Sequence, residues 1–291
     1  MEEIKTIGIN DKNYSKLLKK ISDAPKILYY RGNIDATNNA CFAVVGTRRY
    51  AEYGKQIALN IAGDLAEAGL TVVSGLAPGI DTFAHQAALE RKNRQIAVLG
   101  TGIDDKSVYP AENLKLAKKI IETGGCLVSE YPPGTHGSKI TFPHRNRIIS
   151  GLSLGVLVVE AKLKSGSLIT ANYAFSQKRK VFAVPGNIYS LNSKGCHYLI
   201  KRGAKLAENA DDILKELALP GKNFKIEKEA EGETKEENLV LRAIRQSAED
   251  IDRIIQITQL PAAKVVSALA NLEIKSKVKN LGGNIYAINH R

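Results

Sequence analysis

The chain has no tryptophan, one methionine and three cysteines among its 291 residues. No CxxC pair and no Cys/His ligand spacing occurs, which argues against a zinc site. Cys41 and Cys126 fall in apolar, strand-like runs and are expected in the core; Cys196 falls in a polar loop. The histidines, His85, His136, His144, His197 and His290, are scattered, so no metal is expected. No apolar run approaches the roughly 20 residues of a membrane span. The first residues, MEEIKTIGIN, lack the apolar core of a secretory signal, so no membrane contact and a cytoplasmic location are expected. No internal repeat is present. No GxxxxGK[ST] loop and no GxGxxG fingerprint occurs, which disfavours a P-loop NTPase and a dinucleotide-dependent enzyme.

What is present is positive charge. The net charge is +12. Residues 1–220 hold 30 Lys and Arg against 20 Asp and Glu, while residues 221–291 hold 12 against 10. The excess therefore belongs to the larger part of the chain, and it favours a polyanionic partner.

From Ala40 onward the pattern is repetitive in type. CFAVVG (41–46), LTVVSG (70–75), QIAVLG (95–100), GCLVSE (125–130), GVLVVE (155–160) and KVFAVPG (180–186) are apolar and rich in β-branched residues. Such runs suit strands buried on both faces of a parallel sheet. Helix-like stretches lie between them, at 54–69, 81–92, 111–124 and 167–177. The alternation predicts a doubly wound, mostly parallel α/β sheet over residues 40–218. Residues 1–39 read as a short extension with one strand, APKILYYRGNI (24–34). Residues 219–237 are charged and poor in core formers, so they read as a linker. Residues 238–291 show three helical segments and a Gly-Gly hairpin, the winged-helix pattern.

In a doubly wound sheet, ligands bind beyond the carboxyl ends of the strands. Five loops there carry glycine, and three carry clustered cations. GTRRYAEYG (46–54) offers Arg48 and Arg49, whose planar forks match phosphate oxygens; the duller reading is a solvated turn. SGLAPGID (74–81) places Asp81 at a helix start, where capping outranks acid–base chemistry. SEYPPGTHGSKITFPHRNRIISG (129–151) packs Lys139, His144, Arg145 and Arg147 at the start of a helix, a ready-made anion site. Phe142 beside Lys139 is either a core residue or a base-stacking group. EAKLKSGS (160–167) brings Lys164 and sets Ser165, Gly166 and Ser167 before a helix, either to cradle a phosphate or simply to cap it. Glu160 would be catalytic or would orient a loop cation. In the tail, Lys275, Lys277 and Lys279 sit near the wing, while the helix in the recognition position carries only Lys264.

Taken in order, GTRRYAEYG, SGLAPGID, GTGIDDKSVYP, SEYPPG, FPHRNRIISGLS, VVEAKLKSGSLITA and VFAVPG resemble the DNA-processing protein A family (DprA, also called Smf). The resemblance runs from about Ile21 to Leu217. It implies a Rossmann-like domain that binds single-stranded DNA, protects incoming strands in natural transformation and loads RecA. It also implies a homodimer without enzymatic activity or cofactor. The implied DNA pocket comprises Arg48, Lys139, Phe142, Arg145, Asn146, Arg147, Ser165, Gly166 and Ser167, with Arg49, Lys164, Lys275, Lys277 and Lys279 as secondary candidates. His197 stands where the family usually has Asn. The winged helix would contact a protein, or duplex DNA weakly through its wing. The competing expectation is a nucleotide-binding enzyme of phosphoribohydrolase type using Glu160 or Asp81, although the PGGxGTxxE motif of that class is absent. A duplex-binding regulator acting through the tail is a third.

Overall fold

The computed structural model describes residues 3–219, 232–245, 247 and 249–288, in two compact units, Met1–Gly221 and Lys222–Arg291. In the first, strands β1 (Lys5–Gly8), β2 (Ile27–Gly32), β3 (Cys41–Val45), β4 (Thr71–Ser74), β5 (Gln95–Leu99), β6 (Cys126–Ser129), β7 (Gly155–Val158), β8 (Lys180–Ala183) and β9 (Lys205–Leu206) form one sheet in the order β1-β2-β6-β5-β4-β3-β7-β8-β9. From β6 to β9 every pairing is parallel. The chain builds outward from β3 to β6, then returns to the other side of β3 with β7. That reversal opens a crevice between β3 and β7, the topological switch point where such sheets bind ligands.

Helices cover both faces: α1 (Glu52–Glu67), α2 (Ile80–Glu90), α3 (Leu114–Glu122), α4 (Thr141–Leu152), α5 (Gly166–Ser176), α6 (Lys194–Lys201) and α7 (Ala210–Glu216). The period of two along β3 decides what each face meets. Cys41, Ala43 and Val45 pack with Ile148 of α4, Leu168 of α5 and Leu199 of α6. Phe42 and Val44 pack with Ile61 of α1, Ala84 of α2 and Ile213 of α7. With both faces covered, each strand must be apolar throughout, which is why continuous runs and not alternating ones marked them. The start of α4 follows from its side chains. Ser138 Oγ accepts from the N–H groups of Ile140 and Thr141 at 3.2 and 3.1 Å, and Pro143 sits in the first turn, where a missing N–H costs nothing.

Three expectations change. Residues 1–39 are not an appendage: β2 pairs antiparallel with β6 and β1 with β2, extending the sheet by two strands. Leu18 and Ile21 enter the same core as α4. A lone strand prediction missed this because the short elements around it have little periodicity. Cys196 is not in a polar loop but buried in α6. The charged linker ends sooner than residue 237: α8 begins at Lys235, capped by Thr234, with Glu237 buried. Residues 220–231 of that linker lie outside the described residues.

The second unit has α8 (Lys235–Ala243), α9 (Ile251–Thr258) and α10 (Ala262–Ile274), with β10 (Glu249–Asp250), β11 (Val278–Asn280) and β12 (Ile285–Ile288) in the order β10-β12-β11. Val240, Ile254, Val265, Leu269 and Leu272 form its core. Gly282, Gly283 and Asn284 turn the wing, all at positive φ.

Candidate functional site

A cleft of about 480 Å³ opens at the switch point. Its walls are the loops after β3 and β7 and the first turns of α4 and α5. Arg48, Arg49, Phe142, Arg145, Asn146, Ser165, Gly166 and Ser167 all line it. Lys139, Arg147 and Lys164 do not. Lys162 does, and sequence reading passed over it. It sits four residues beyond β7 on the loop that supplied Lys164, and local pattern alone could not rank the two.

One wall is cationic and aromatic. Arg48 is exposed, and its guanidinium carbon lies 5.5 Å from the centroid of the half-buried Phe142 ring. Tyr109 packs on Phe142 with centroids 5.3 Å apart. Phe142 is thus neither a core residue nor a free ring: it is held from one side and capped by a cation. An Arg so placed keeps its charge while losing rotamer freedom before any ligand arrives.

The opposite wall is the N-terminus of α5. Ser165 is the N-cap, its Oγ accepting from Ser167 N–H at 3.4 Å, and the two hydroxyls are 2.8 Å apart. Asn146 Nδ2 donates to Gly166 O at 3.2 Å, which fixes the loop against α4. The N–H groups of Ser167 and Leu168 are taken up by Ser165, so the two hydroxyls and the helix dipole make this end attractive to an anion.

The floor is polar and buried. Arg145 is 5% exposed and donates from Nη1 to Gly75 O at 2.7 Å and to Val98 O. Asp81 Oδ2 accepts from Gly75 N–H at 3.1 Å. Burial pushes the Asp81 carboxyl up, while the Arg145 charge and the backbone N–H groups around it pull the other way. Burial brings Arg145 down to about 10. His85 Nδ1–H donates to Gln95 Oε1 at 2.7 Å beneath this floor. The sequence expectation that Arg145 offers its charge to a phosphate is therefore corrected: its guanidinium ties the ends of β4 and β5 together. Arg147 is corrected likewise. It is 3% exposed and bonded to Glu130 at 2.7 Å and Asp23 at 3.0 Å, so it locks the N-terminal segment to the loop after β6. Cation-rich runs at helix starts look alike whether the cations face solvent or core; only the helix rotation separates them.

Glu160 is 3% exposed. Its Oε2 accepts from Ala51 N–H at 2.9 Å and Asn192 Nδ2 at 3.4 Å, so it holds the start of α1. His197, the departure from the family pattern, donates from Nε2–H to Gly186 O at 3.1 Å and ties α6 to the loop after β8. In the second unit, Lys275 is held by Glu233 and Glu237, each at 2.9 Å, and this removes it as a cation offered to DNA. Lys264 is likewise met by Glu236 at 2.9 Å.

His85 gives a pH prediction. Burial lowers it from 6.5 to about 4. A depressed folded-state value means the neutral ring stabilises the fold above pH 6.5, and this stability is lost as pH falls toward about 4. Stability should fall by about 1.4 kcal/mol per pH unit across that window from this group alone. Urea unfolding between pH 4 and 7 should show a slope smaller by one proton in His85→Leu. Identical slopes would exclude His85 as the source.

The fold and cleft define a class: a doubly wound α/β domain with a cationic crevice at its switch point and a winged helix after it. The chain belongs to the family of DNA recombination-mediator protein A, which it matches over residues 5–218; residues 227–284 match the DprA winged helix domain. It is 45% identical over 215 residues to the DNA processing protein DprA of Streptococcus pneumoniae, covering 74% of this chain and 75% of that one. It is 46% identical over 204 residues to Protein Smf of Escherichia coli, covering 70% of this chain and 54%, about half, of that longer protein. Among solved structures, the S. pneumoniae DprA superimposes with a TM-score of 0.69 at 44% identity, over 74% of each chain. The DNA processing protein A of Helicobacter pylori, described in its single-stranded DNA binding mode, gives 0.66 at 30% identity over 75% of this chain and 98% of that one.

Proposed function

We propose that the switch-point cleft binds single-stranded DNA and that the chain is a recombination mediator acting on incoming strands in natural transformation. The observation that carries this reading is the pairing of Arg48, poised over Phe142, with the helix start at Ser165–Ser167 across one cleft. A phosphate would meet the guanidinium and the Ser165 and Ser167 hydroxyls at the α5 start, and a base would lie against the aromatic wall. No side chain in this set reads a base edge, so binding is sequence-tolerant. Lys139, exposed at the rim before α4, would meet a neighbouring phosphate, as would Lys164. Arg145, Asn146 and Arg147 act by holding the walls in place.

Both acid–base candidates of the enzyme reading are committed elsewhere, Glu160 to α1 and Asp81 to Gly75. We infer a binding protein without catalysis. RecA loading, a homodimer and a cytoplasmic location are the further parts of this proposal, supported by family membership. Among the described residues no helix is long and apolar enough to cross a membrane. For the winged helix we infer a protein partner over duplex DNA. The exposed side of α10 carries Ala262, Ala263, Val266, Ala270 and Ile274 beside the polar Ser267, Asn271 and Glu273, and its one cation, Lys264, is paired. DNA-reading helices usually present several basic groups there.

Arg48→Ala should lower affinity for oligothymidylate by about tenfold or more, the loss of one desolvated phosphate contact with its stacking. The slope of log affinity against log salt should fall by roughly 0.7, one phosphate's share on a single strand. Arg48 is exposed, so circular dichroism and the unfolding midpoint should not change. Unchanged affinity and slope would remove the cleft as the DNA site.

A further inference from the structure

Residues 161–207 hold nine Lys and Arg and no Asp or Glu. This is the segment from the end of β7 through β9, and most of the chain's net charge of +12 lies in it. Two of the nine, Lys180 and Lys205, are met by Glu216. Lys162, Lys164 and Lys194 are exposed at the carboxyl end of the sheet.

Within this segment lies the most exposed aromatic residue of the large unit. Tyr189 is 87% exposed, with Ile188 and Leu191 beside it at 62% and 65%. They stand on the loop after β8, residues 186–193. Three large apolar side chains in water on one short loop need an explanation, because single exposed ones are ordinary but grouped ones mark binding surfaces. The loop itself is tightly held. Asn187 Oδ1 accepts from Tyr189 N–H at 2.8 Å, Asn187 O from Ser190 N–H at 3.0 Å, and Ser190 Oγ from Asn192 N–H at 3.3 Å. His197 anchors it at Gly186. A rigid loop that presents a ring to water has little conformational entropy left to lose on binding.

The loop is also joined to the cleft. Asn192 Nδ2 donates to Arg49 O at 3.0 Å, and Asn192 O accepts from Ala161 N–H at 2.7 Å. Arg49 and Lys162, the neighbours of those two contacts, line the cleft. The loop that carries Tyr189, followed by Lys194, is thus joined to the cleft on the side of Arg49 and Lys162. A cationic track interleaved with an exposed ring is what a single strand binds: each base offers a π-face, and the phosphates need charge. A duplex, with its bases stacked internally, could not use the ring.

We propose that the loop 186–193 is a base-stacking platform that extends the cleft, with Tyr189 stacking on a base of the strand and Lys162 and Lys194 neutralising the flanking phosphates. The proposal rests on the cleft being a single-strand site. It predicts that affinity rises in a step once an oligonucleotide is long enough to run from the cleft onto the loop.

The test is a titration of the full chain with oligothymidylates of increasing length, comparing wild type, Tyr189→Ala, Tyr189→Phe and Arg48→Ala. Tyr189→Ala should bind the shortest oligonucleotides like wild type but lose the step, a deficit of roughly 5- to 150-fold on long ones. Tyr189→Phe should keep it. Replacing the outer bases of a long oligonucleotide by abasic spacers, with the phosphates kept, should weaken wild type by the same factor and leave Tyr189→Ala unchanged. If Tyr189→Ala matches wild type at every length while Arg48→Ala is weak, the platform is excluded and the cleft reading stands. If Arg48→Ala matches wild type at every length, the cleft reading falls, and the platform as an extension of the cleft falls with it even where Tyr189→Ala binds weakly. If Tyr189→Ala alters self-association in sedimentation and leaves all DNA affinities unchanged, the loop faces a second copy of the chain and the platform is excluded.

Discussion

Arg145→Ala is expected to destabilise the large unit by about 3–5 kcal/mol, the cost of leaving two buried carbonyls without a donor and a nearby buried carboxyl without its compensating charge. The residue sits in a segment whose cations read as phosphate ligands, and a ligand arginine would be removed with little effect on stability. Here the guanidinium serves the floor of the cleft. Its loss leaves Gly75 O and Val98 O without a donor and the buried Asp81 carboxyl without its compensating charge. The second unit should be untouched, so urea unfolding followed by far-UV circular dichroism should show one transition moved to lower denaturant and the other in place. Tyrosine emission can serve as a second probe, since no tryptophan dominates it. Combining Arg145→Met with Asp81→Asn should recover part of the loss, because both charges then disappear together. A wild-type midpoint for Arg145→Ala would return this residue to the ligand set.

Gly79→Ala is expected to cost both stability and DNA affinity, although residue 79 touches no ligand. Gly79 is at φ +85° and ψ −130°, where a side chain is strained by about 1–3 kcal/mol. An added Cβ would also stand 2.5 Å from Thr47 O and 2.9 Å from Arg48 O. Those atoms belong to the loop that aims Arg48 at Phe142. Relief of the contact moves the loop, so affinity should fall by about tenfold, as for Arg48→Ala itself, since a displaced guanidinium loses its alignment. Gly69→Ala is the control: φ is +93°, yet nothing lies within 4 Å. It should lower the unfolding midpoint and leave DNA binding unchanged. Equal affinities for the two variants would show that loop 46–51 tolerates the shift.

Much of the fold was legible because burial on both faces imposes an unmistakable pattern. The six continuous apolar runs became β3 to β8. Strand β2 was read as a strand, but β1 was harder: at an edge position a strand has fewer neighbours to satisfy, and four residues such as Lys5–Gly8 carry no pattern. Helix α6 was hidden by its glycine and histidine, and its burial comes from contacts with β8 made only after the sheet forms.

The site was legible in its types of residue and not in their roles. Glycines, cations and small hydroxyls at strand ends named the loops, since elements of a doubly wound sheet bring all strand ends to one edge. The sequence by itself determined that edge, its charge and the anionic partner it suits. Only the tertiary structure decided which cations face the cleft. Arg48 lines it with an exposed guanidinium, Arg145 lines it with a guanidinium bonded to Gly75, and Arg147 does not line it, because the rotation of α4 turns Arg145 and Arg147 inward to Gly75 and Glu130. That rotation is set by packing of Ile148, Ile149 and Leu152 into the core. A one-dimensional pattern records that a helix has an inner face; the depth of the core beneath it fixes whether a long cationic side chain ends in water or in protein.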